Sequence, residues 1–257
     1  MTTLRHTSYM AVRDLRALWR QPWYVVMTLV QPLIWLLLFG ELFKRVADLP
    51  AFGGESYIAY LAPGVVIMSA LFSSGWNGMA TIEDIDLGVT DRLLVSPVRR
   101  TALIAGRVAQ SAVVVVIQSA IMVLAALAVG ASFPGGVGGV LVLILASALL
   151  GAAFAALSNS IALVTRERES LIGAVTFVVL PLTFLSTALM RDDLLPGWMQ
   201  TAADLNPVNW AIEAGRGATS ADPEWGSVVG YTGLLAALLV LCAVLAVRAF
   251  RSYQRSV

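Results

Sequence analysis

An all-α polytopic membrane protein with six transmembrane helices is the fold class this sequence predicts, and three observations predict it. Of its 257 residues, 58% are hydrophobic and 13% charged, against roughly 45–50% and about 25% in an ordinary soluble domain. The apolar residues gather into six stretches, each near the ~20 residues a helix needs to cross a hydrocarbon core about 30 Å thick. The basic residues sit in short clusters between those stretches, with a net charge of only +1. No continuous basic patch remains for a phosphate backbone, so nucleic acid is not expected as a partner.

The predicted spans lie near 23–43, 57–78, 108–129, 138–164, 170–190 and 228–247 of a transmembrane domain over 23–250. Lysine and arginine stay on the cytoplasmic side of a bilayer. With both termini inside, only Lys44, Arg45, Arg191 and Arg216 of the 17 basic residues fall outside. Cytoplasmic N- and C-termini, and a multi-pass protein of the cell (plasma or inner) membrane, follow as expectations.

Residues 1–22 precede the first span. Leu4, Ala11, Val12, Leu15, Leu18 and Trp19 recur at helical spacing, with Arg5, Arg13, Arg16 and Arg20 on the other side. This is the pattern of an amphipathic helix lying in the cytoplasmic interface. The segment has no short apolar core followed by a small-residue cleavage site, so the first span is expected to be permanent.

The segment 81–100 is the most polar of the chain and carries Glu83, Asp84, Asp86 and Asp91. With no histidine nearby, and with Ile82, Ile85, Val89 and Leu93 forming one apolar stripe, a solvated or partner-docking face is the better reading than a metal site. Pro97 ends the element, because the residue before a proline is pushed out of helical geometry. In the spans, Pro32, Pro63 and Pro181 are expected to bend their helices. Gly151 and Ala155 offer a surface for close helix packing, while Gly135 and Gly139 share the spacing but are assigned to a turn. Gln118, Ser158, Asn159 and Ser160 read as interhelical hydrogen-bonding residues.

Between the last two spans, 191–227 is expected to hold short extracellular helices. Asn206 is a good N-cap, Pro207 stands at the first helical position, and Gly217 is the expected stop. So short a helix must lie in the outer interface or dip into the protein and return. Trp198, Trp210 and Trp225 fit interfacial positions. Glu213 and Arg216, three apart, are placed to pair on the helix surface. Residues 251–257 are expected to form a cytoplasmic tail.

The missing chemistry is as informative. No acid lies deep in a span, where gradient-driven pumps and carriers place them. The single histidine, His6, precedes the membrane, and Cys242, the single cysteine, can form no disulfide within the chain. A phosphate loop requires Gly-Lys-Ser or Gly-Lys-Thr, but the one lysine, Lys44, follows Phe43. The chain is therefore expected not to be an enzyme, to hold no cofactor or metal, and to draw its energy from another chain.

Residues Glu83 to Pro97, EDIDLGVTDRLLVSP, followed by VRRTALIAGR, strongly resemble the signature segment of type-2 ABC transporter permeases. That segment runs through an acid, a Gly-Thr-like turn, Glu-Arg-Leu-Leu-Val-Ser/Thr-Pro, then Arg and Gly-Lys/Arg. The stretch from Pro181 to Arg216, PLTFLSTALMRDDLLPGWMQTAADLNPVNWAIEAGR, is similar to the family's Leu-Ser-Gly, Leu-Pro-x-Trp, Asn-Pro and Glu-Ala-hydrophobic-Arg series. The Arg20-Gln21-Pro22 and Gln31-Pro32 runs match as well, so the resemblance covers nearly the whole chain. The daunorubicin-resistance-like branch of multidrug and lipid exporters looks closest. Two departures stand out: Gly88-Val89 where the family often has Gly-Thr, and Ser186-Thr187 where it often has Ser-Gly.

The resemblance implies a coupling helix docked on a separate ATP-binding subunit. The residues assigned to it are Glu83, Asp84, Asp86, Asp91, Arg92, Leu93, Leu94, Pro97, Arg99 and Arg100, with Arg166 and Glu167 in a second, smaller contact. It also implies two ATP-binding subunits, which hold ATP and magnesium, and a second permease chain as homodimer or heterodimer. The segment after the fifth span would cap the exit, which makes Leu185, Leu189, Trp198, Asn206, Pro207, Trp210, Glu213 and Arg216 gate candidates. The implied function is outward movement of hydrophobic or amphipathic drugs or lipids by alternating access. A polysaccharide-exporting ABC permease, or a gradient-driven carrier or channel, is the alternative.

Overall fold

The computed structural model describes residues 22–43, 57–89 and 100–255. Among them every regular element is helical: α1 (Pro22–Leu42), α2 (Tyr57–Gly75), α3 (Gly78–Asp86), α4 (Arg100–Ala128), α5 (Gly136–Thr165), α6 (Arg168–Phe184), a 3-10 turn (Asp192–Leu194), α7 (Gly197–Asp204), α8 (Pro207–Thr219) and α9 (Trp225–Arg255). The interfacial helix expected before the first span lies outside the described residues.

Helix α5 is the axis of the bundle, packed against α2, α3, α4, α6, α8 and α9. Its sequence explains this, being apolar all round and rich in small residues from Gly151 to Ala156. In lipid, helices associate through close packing rather than through exclusion from water, and small residues let backbones approach. A Cβ added at Gly151 would come within 2.7 Å of Val115 Cγ2 and 2.8 Å of Ser74 Oγ. Elsewhere large apolar side chains face outward, Phe177 at 81% and Leu124 at 65% exposure, which suits a hydrocarbon surround better than water.

Among the described residues, four helical stretches are long and apolar enough to cross a membrane: Tyr57–Asp86, Ile104–Ala128, Gly136–Thr165 and Trp225–Tyr253. They correspond to the second, third, fourth and sixth expected spans. In the first, Thr28–Leu42 is a shorter apolar helix. The fifth, expected over 170–190, stops at Phe184. The cause is local: Leu185 N–H still reaches Pro181 O at 2.8 Å, and the Asn206 amide then donates to the carbonyls of Leu182 (2.7 Å) and Leu185 (2.6 Å), which caps the helix end.

Tyr57–Asp86 runs past the expected boundary at 78 with one break, at Trp76–Asn77. The Ser158 hydroxyl mends it, donating to Gly75 O (2.5 Å) and accepting from Gly78 N–H (2.9 Å). Gly78 has no room for a side chain, because an added Cβ would lie 2.5 Å from Ser158 O.

Asn206 caps α8 as expected, accepting from Val208 N–H at 2.9 Å, with Pro207 in the first turn. Gly217 does not end the helix, which continues to Thr219 and stops at the extended Ser220. Gly217 instead keeps α8 close to Val228. The helix is not laid on an outer surface, since Val208, Ala211, Ile212, Ala214 and Ala218 are fully buried against its neighbours. The Gly135 and Gly139 pair, assigned to a turn, turns out to be its packing site: added Cβ atoms would lie 2.1 and 2.2 Å from Ala218 O. Helix α9 runs to Arg255 rather than to 247 because Cys242, Ala246, Phe250 and Tyr253 extend one buried stripe at helical spacing.

Candidate functional site

Two polar clusters occupy opposite ends of the Tyr57–Asp86 stretch, roughly 35 Å apart by helical rise. Each ties that stretch to other helices.

At the acidic end, α3 buries Ile82 and exposes Glu83. Asp84 is ion-paired with Arg107 of α4, both side chains largely buried. Arg107 also donates to Thr81 Oγ1 at 2.9 Å, and that hydroxyl is bonded to Asn159 Oδ1 of α5. The Asn159 amide in turn donates to Asn77 Oδ1 (2.9 Å) and Ala155 O (2.7 Å). The chain from Asp84 to Asn77 thus joins α3, α4 and α5 and fulfils the polar groups it buries, a requirement away from water. Asp86 pairs with Arg168 of α6 at 3.0 Å, an exposed contact that solvent weakens. Among the described residues no three histidine, cysteine, aspartate or glutamate side chains converge as a metal site would require.

Of the other residues assigned to coupling, Glu167 precedes α6 and accepts from Ser170 Oγ at 2.9 Å. Arg166 lies over the Tyr253 ring, 4.6 Å from its centroid. Asp91, Arg92, Leu93, Leu94, Pro97 and Arg99 lie outside the described residues. Arg100 opens α4.

At the other end the hub is Thr187. Its N–H donates to Asn209 Oδ1 (3.0 Å), and its hydroxyl lies 2.7 Å from Asn209 Oδ1 and 2.8 Å from Glu213 Oε1. Its carbonyl accepts from Tyr60 OH (2.9 Å) and Arg216 Nη2 (3.0 Å). Arg216 Nη1 donates to Glu213 Oε1 at 3.2 Å, and the guanidinium stands over the Tyr60 ring, 3.8 Å from its centroid. The residue that departs from the family's Ser-Gly pattern is therefore the centre of this cluster. Close approach is supplied from the other side by Gly64, where an added Cβ would lie 2.6 Å from Ala188 O.

Among the gate candidates, the structure brings Glu213 and Arg216 into this hub, and Asn206 onto the Leu185 carbonyl. Leu189 O accepts from Tyr57 OH at 2.9 Å. Trp210 Nε1 donates to Asp204 O at 2.7 Å, and Trp198 is 67% exposed. Sequence reasoning missed Thr187, Tyr60 and Asn209 here, and Asn77, Thr81 and Arg107 at the acidic end. A signal for Arg107 existed, since Gly106-Arg107 closes the signature segment. Nothing local marks the others, whose partners lie far away in sequence.

The chain matches the ABC-2 type transporter family over residues 5–219. Among curated proteins it is 29% identical over 218 residues to a putative transport permease, ycf38, of Porphyra purpurea, covering 81% of this chain and 75% of that one. It is 30% identical over 236 residues to the daunorubicin resistance ABC transporter permease protein DrrB1 of Streptomyces coeruleorubidus (90% and 81%). It is also 30% identical over 205 residues to the inner membrane transport permease YadH of Escherichia coli K12 (74% and 75%).

Proposed function

The chain belongs to the ABC-2 type transporter family, and from that premise we propose that it is the membrane-spanning permease subunit of an ATP-driven exporter. It is an integral membrane protein of a family of transport permeases. In this reading it crosses the cell membrane six times with both termini inside, and it pairs with a second permease chain and two ATP-binding subunits, which supply ATP and magnesium. The cargo is a hydrophobic or amphipathic drug or lipid, as the name of the daunorubicin-resistance relative suggests and as spans without deep acids favour.

One observation carries the mechanism. The acid-bearing α3 presents Glu83 outward while Asp84 and Thr81 are held through Arg107 and Asn159 to α4 and α5. A partner pressing on α3 and on the segment after it therefore acts on three helices at once. Coupling requires that nucleotide favour one arrangement of these contacts over another, because equal contact in both states shifts nothing. At the far end, the Thr187 hub joins α2, α8 and the turn after α6, where outward opening would separate them. Co-expression with the cognate ATP-binding subunit tests the assignment: a stable complex is expected, and failure to bind any such subunit would refute it.

A polysaccharide cargo is the second reading, favoured by one feature. Trp35, Phe39 and Phe43 form a run of half-buried neighbouring rings, with centroid spacings of 5.8 and 5.8 Å, that leads to the buried Tyr57, and sugar rings stack on the free faces of such aromatics. Oligosaccharide binding lost on Trp35→Ala would favour it over a drug or lipid.

A further inference from the structure

Helix α9 continues to Arg255 with two rings turned inward, Phe250 and Tyr253, which are 5% and 4% exposed. They pack with Ile104 of α4 and Leu163 of α5, so Tyr253 is fixed by its surroundings. Arg166, which ends α5, lies with its guanidinium carbon 4.6 Å from the Tyr253 centroid. Among the described residues Arg166 is the one non-glycine with a left-handed backbone, φ 57°. There the Cβ of an L residue crowds the following carbonyl, and glycine would be the unstrained choice. What a glycine could not supply is the cation over the ring.

The turn made at Arg166 leads directly into Glu167, extended at φ −127°, and then into Arg168, which bonds Asp86 of α3 at 3.0 Å. The Arg168 and Asp86 side chains are 55% and 51% exposed, so that pair alone holds the turn weakly. The buried ring of Tyr253 is the rigid partner.

We propose that the last turn of α9 sets the α5–α6 turn, with Tyr253 acting through Arg166 as a positioning residue that keeps Glu167 and Arg168 beside the acids of α3. This rests on the reading of both regions as contacts for an ATP-binding subunit. The C-terminal helix then belongs to the coupling apparatus, although it bears none of the residues assigned to it.

Two measurements test this. In the first, the full chain with its ATP-binding subunit is placed in proteoliposomes and transport per ATP hydrolysed is compared for Tyr253→Phe, Tyr253→Leu, Arg166→Gly and the Tyr253→Leu/Arg166→Gly pair. Tyr253→Phe should match the wild type. Tyr253→Leu and Arg166→Gly should each lower the ratio about threefold, the size of a cation–π contact with an exposed cation, and the double variant should fall no further. Equal loss in Tyr253→Phe, or no loss in Tyr253→Leu, overturns the proposal.

The second measurement needs no ATPase. A spin label on Glu169→Cys, with Cys242→Ala, reports motion of the turn in the purified chain, and Tyr253→Leu should make it more mobile while Tyr253→Phe does not. An unchanged label in Tyr253→Leu contradicts the strut. If the wild-type complex moves nothing with ATP, the exporter reading fails instead, and the label still decides whether Tyr253 positions the turn.

Discussion

The guanidinium carbon of Arg216 on α8 lies 3.8 Å from the centroid of the Tyr60 ring on α2, and the same side chain donates to the carbonyl of Thr187, which Tyr60 OH also reaches. One arginine thus joins α8, α2 and the turn after α6. Its side chain is 20% exposed and that of Glu213 34%, so the pair is partly screened. Arg216→Ala should cost about 2 kcal/mol of stability in detergent unfolding, less than the 3–5 kcal/mol of a fully buried broken pair. Arg216→Lys should recover under half of that, since an ammonium keeps the charge but loses the planar fork.

The Asp84–Arg107 pair is placed differently, with side chains 23% and 17% exposed and a second bond from Arg107 to Thr81. Removing either partner leaves a mostly buried charge behind. Asp84→Ala and Arg107→Ala should each cost roughly 2–3 kcal/mol, and the double variant about 1–2 kcal/mol less than their sum. Strict additivity in an unfolding cycle would show that the two residues do not act together.

Packing of α5 on α8 makes a prediction with an internal control. Gly135→Ala and Gly139→Ala drive a Cβ to 2.1 and 2.2 Å from a backbone oxygen, whereas at Gly138 nothing lies within 4 Å. The first two should each lose about 1–3 kcal/mol through forced backbone shifts. Gly138→Ala should be neutral or slightly stabilising, because alanine is the better helix former. Thermal unfolding of the three side by side is sufficient.

Coupling itself is testable at the signature segment. Reversing charge at Asp91 and Arg92, or placing proline at Leu93, should leave ATP hydrolysis by the complex in place while transport falls at least about tenfold, since proline would break the coupling helix proposed for this segment. Wild-type transport in these variants would move the coupling contact elsewhere.

Much of this was legible in the sequence because it depends on local pattern. Apolar stretches at span length located the helices, Asn206-Pro207 marked the start of α8, and Gly151-Ala155 announced a close contact. Of the four polar residues in apolar runs expected to bond between helices, Gln118 reaches Thr28 at 2.9 Å, Ser158 reaches Gly75 O and Asn159 reaches Asn77, whereas Ser160 donates back to Ala156 O at 2.7 Å within its own helix. What was not legible depends on partners distant in the chain. The stop of α6 at Phe184 is set by a side-chain amide from Asn206, and the role of Gly135 and Gly139 by the end of α8. Thr187 appeared as a departure from a pattern, and its partners on α2 and α8 give it its importance. The continuation of α9 to Arg255 required knowing that Phe250 and Tyr253 had a surface to bury against.

The most direct test of the central claim is efflux of a hydrophobic fluorescent drug from proteoliposomes containing the chain with and without its ATP-binding subunit. The chain alone should hydrolyse no ATP and move no cargo under either a proton or a sodium gradient, and the complex should move cargo only when ATP is supplied. Movement by the chain alone, driven by an ion gradient and indifferent to ATP, would contradict the account.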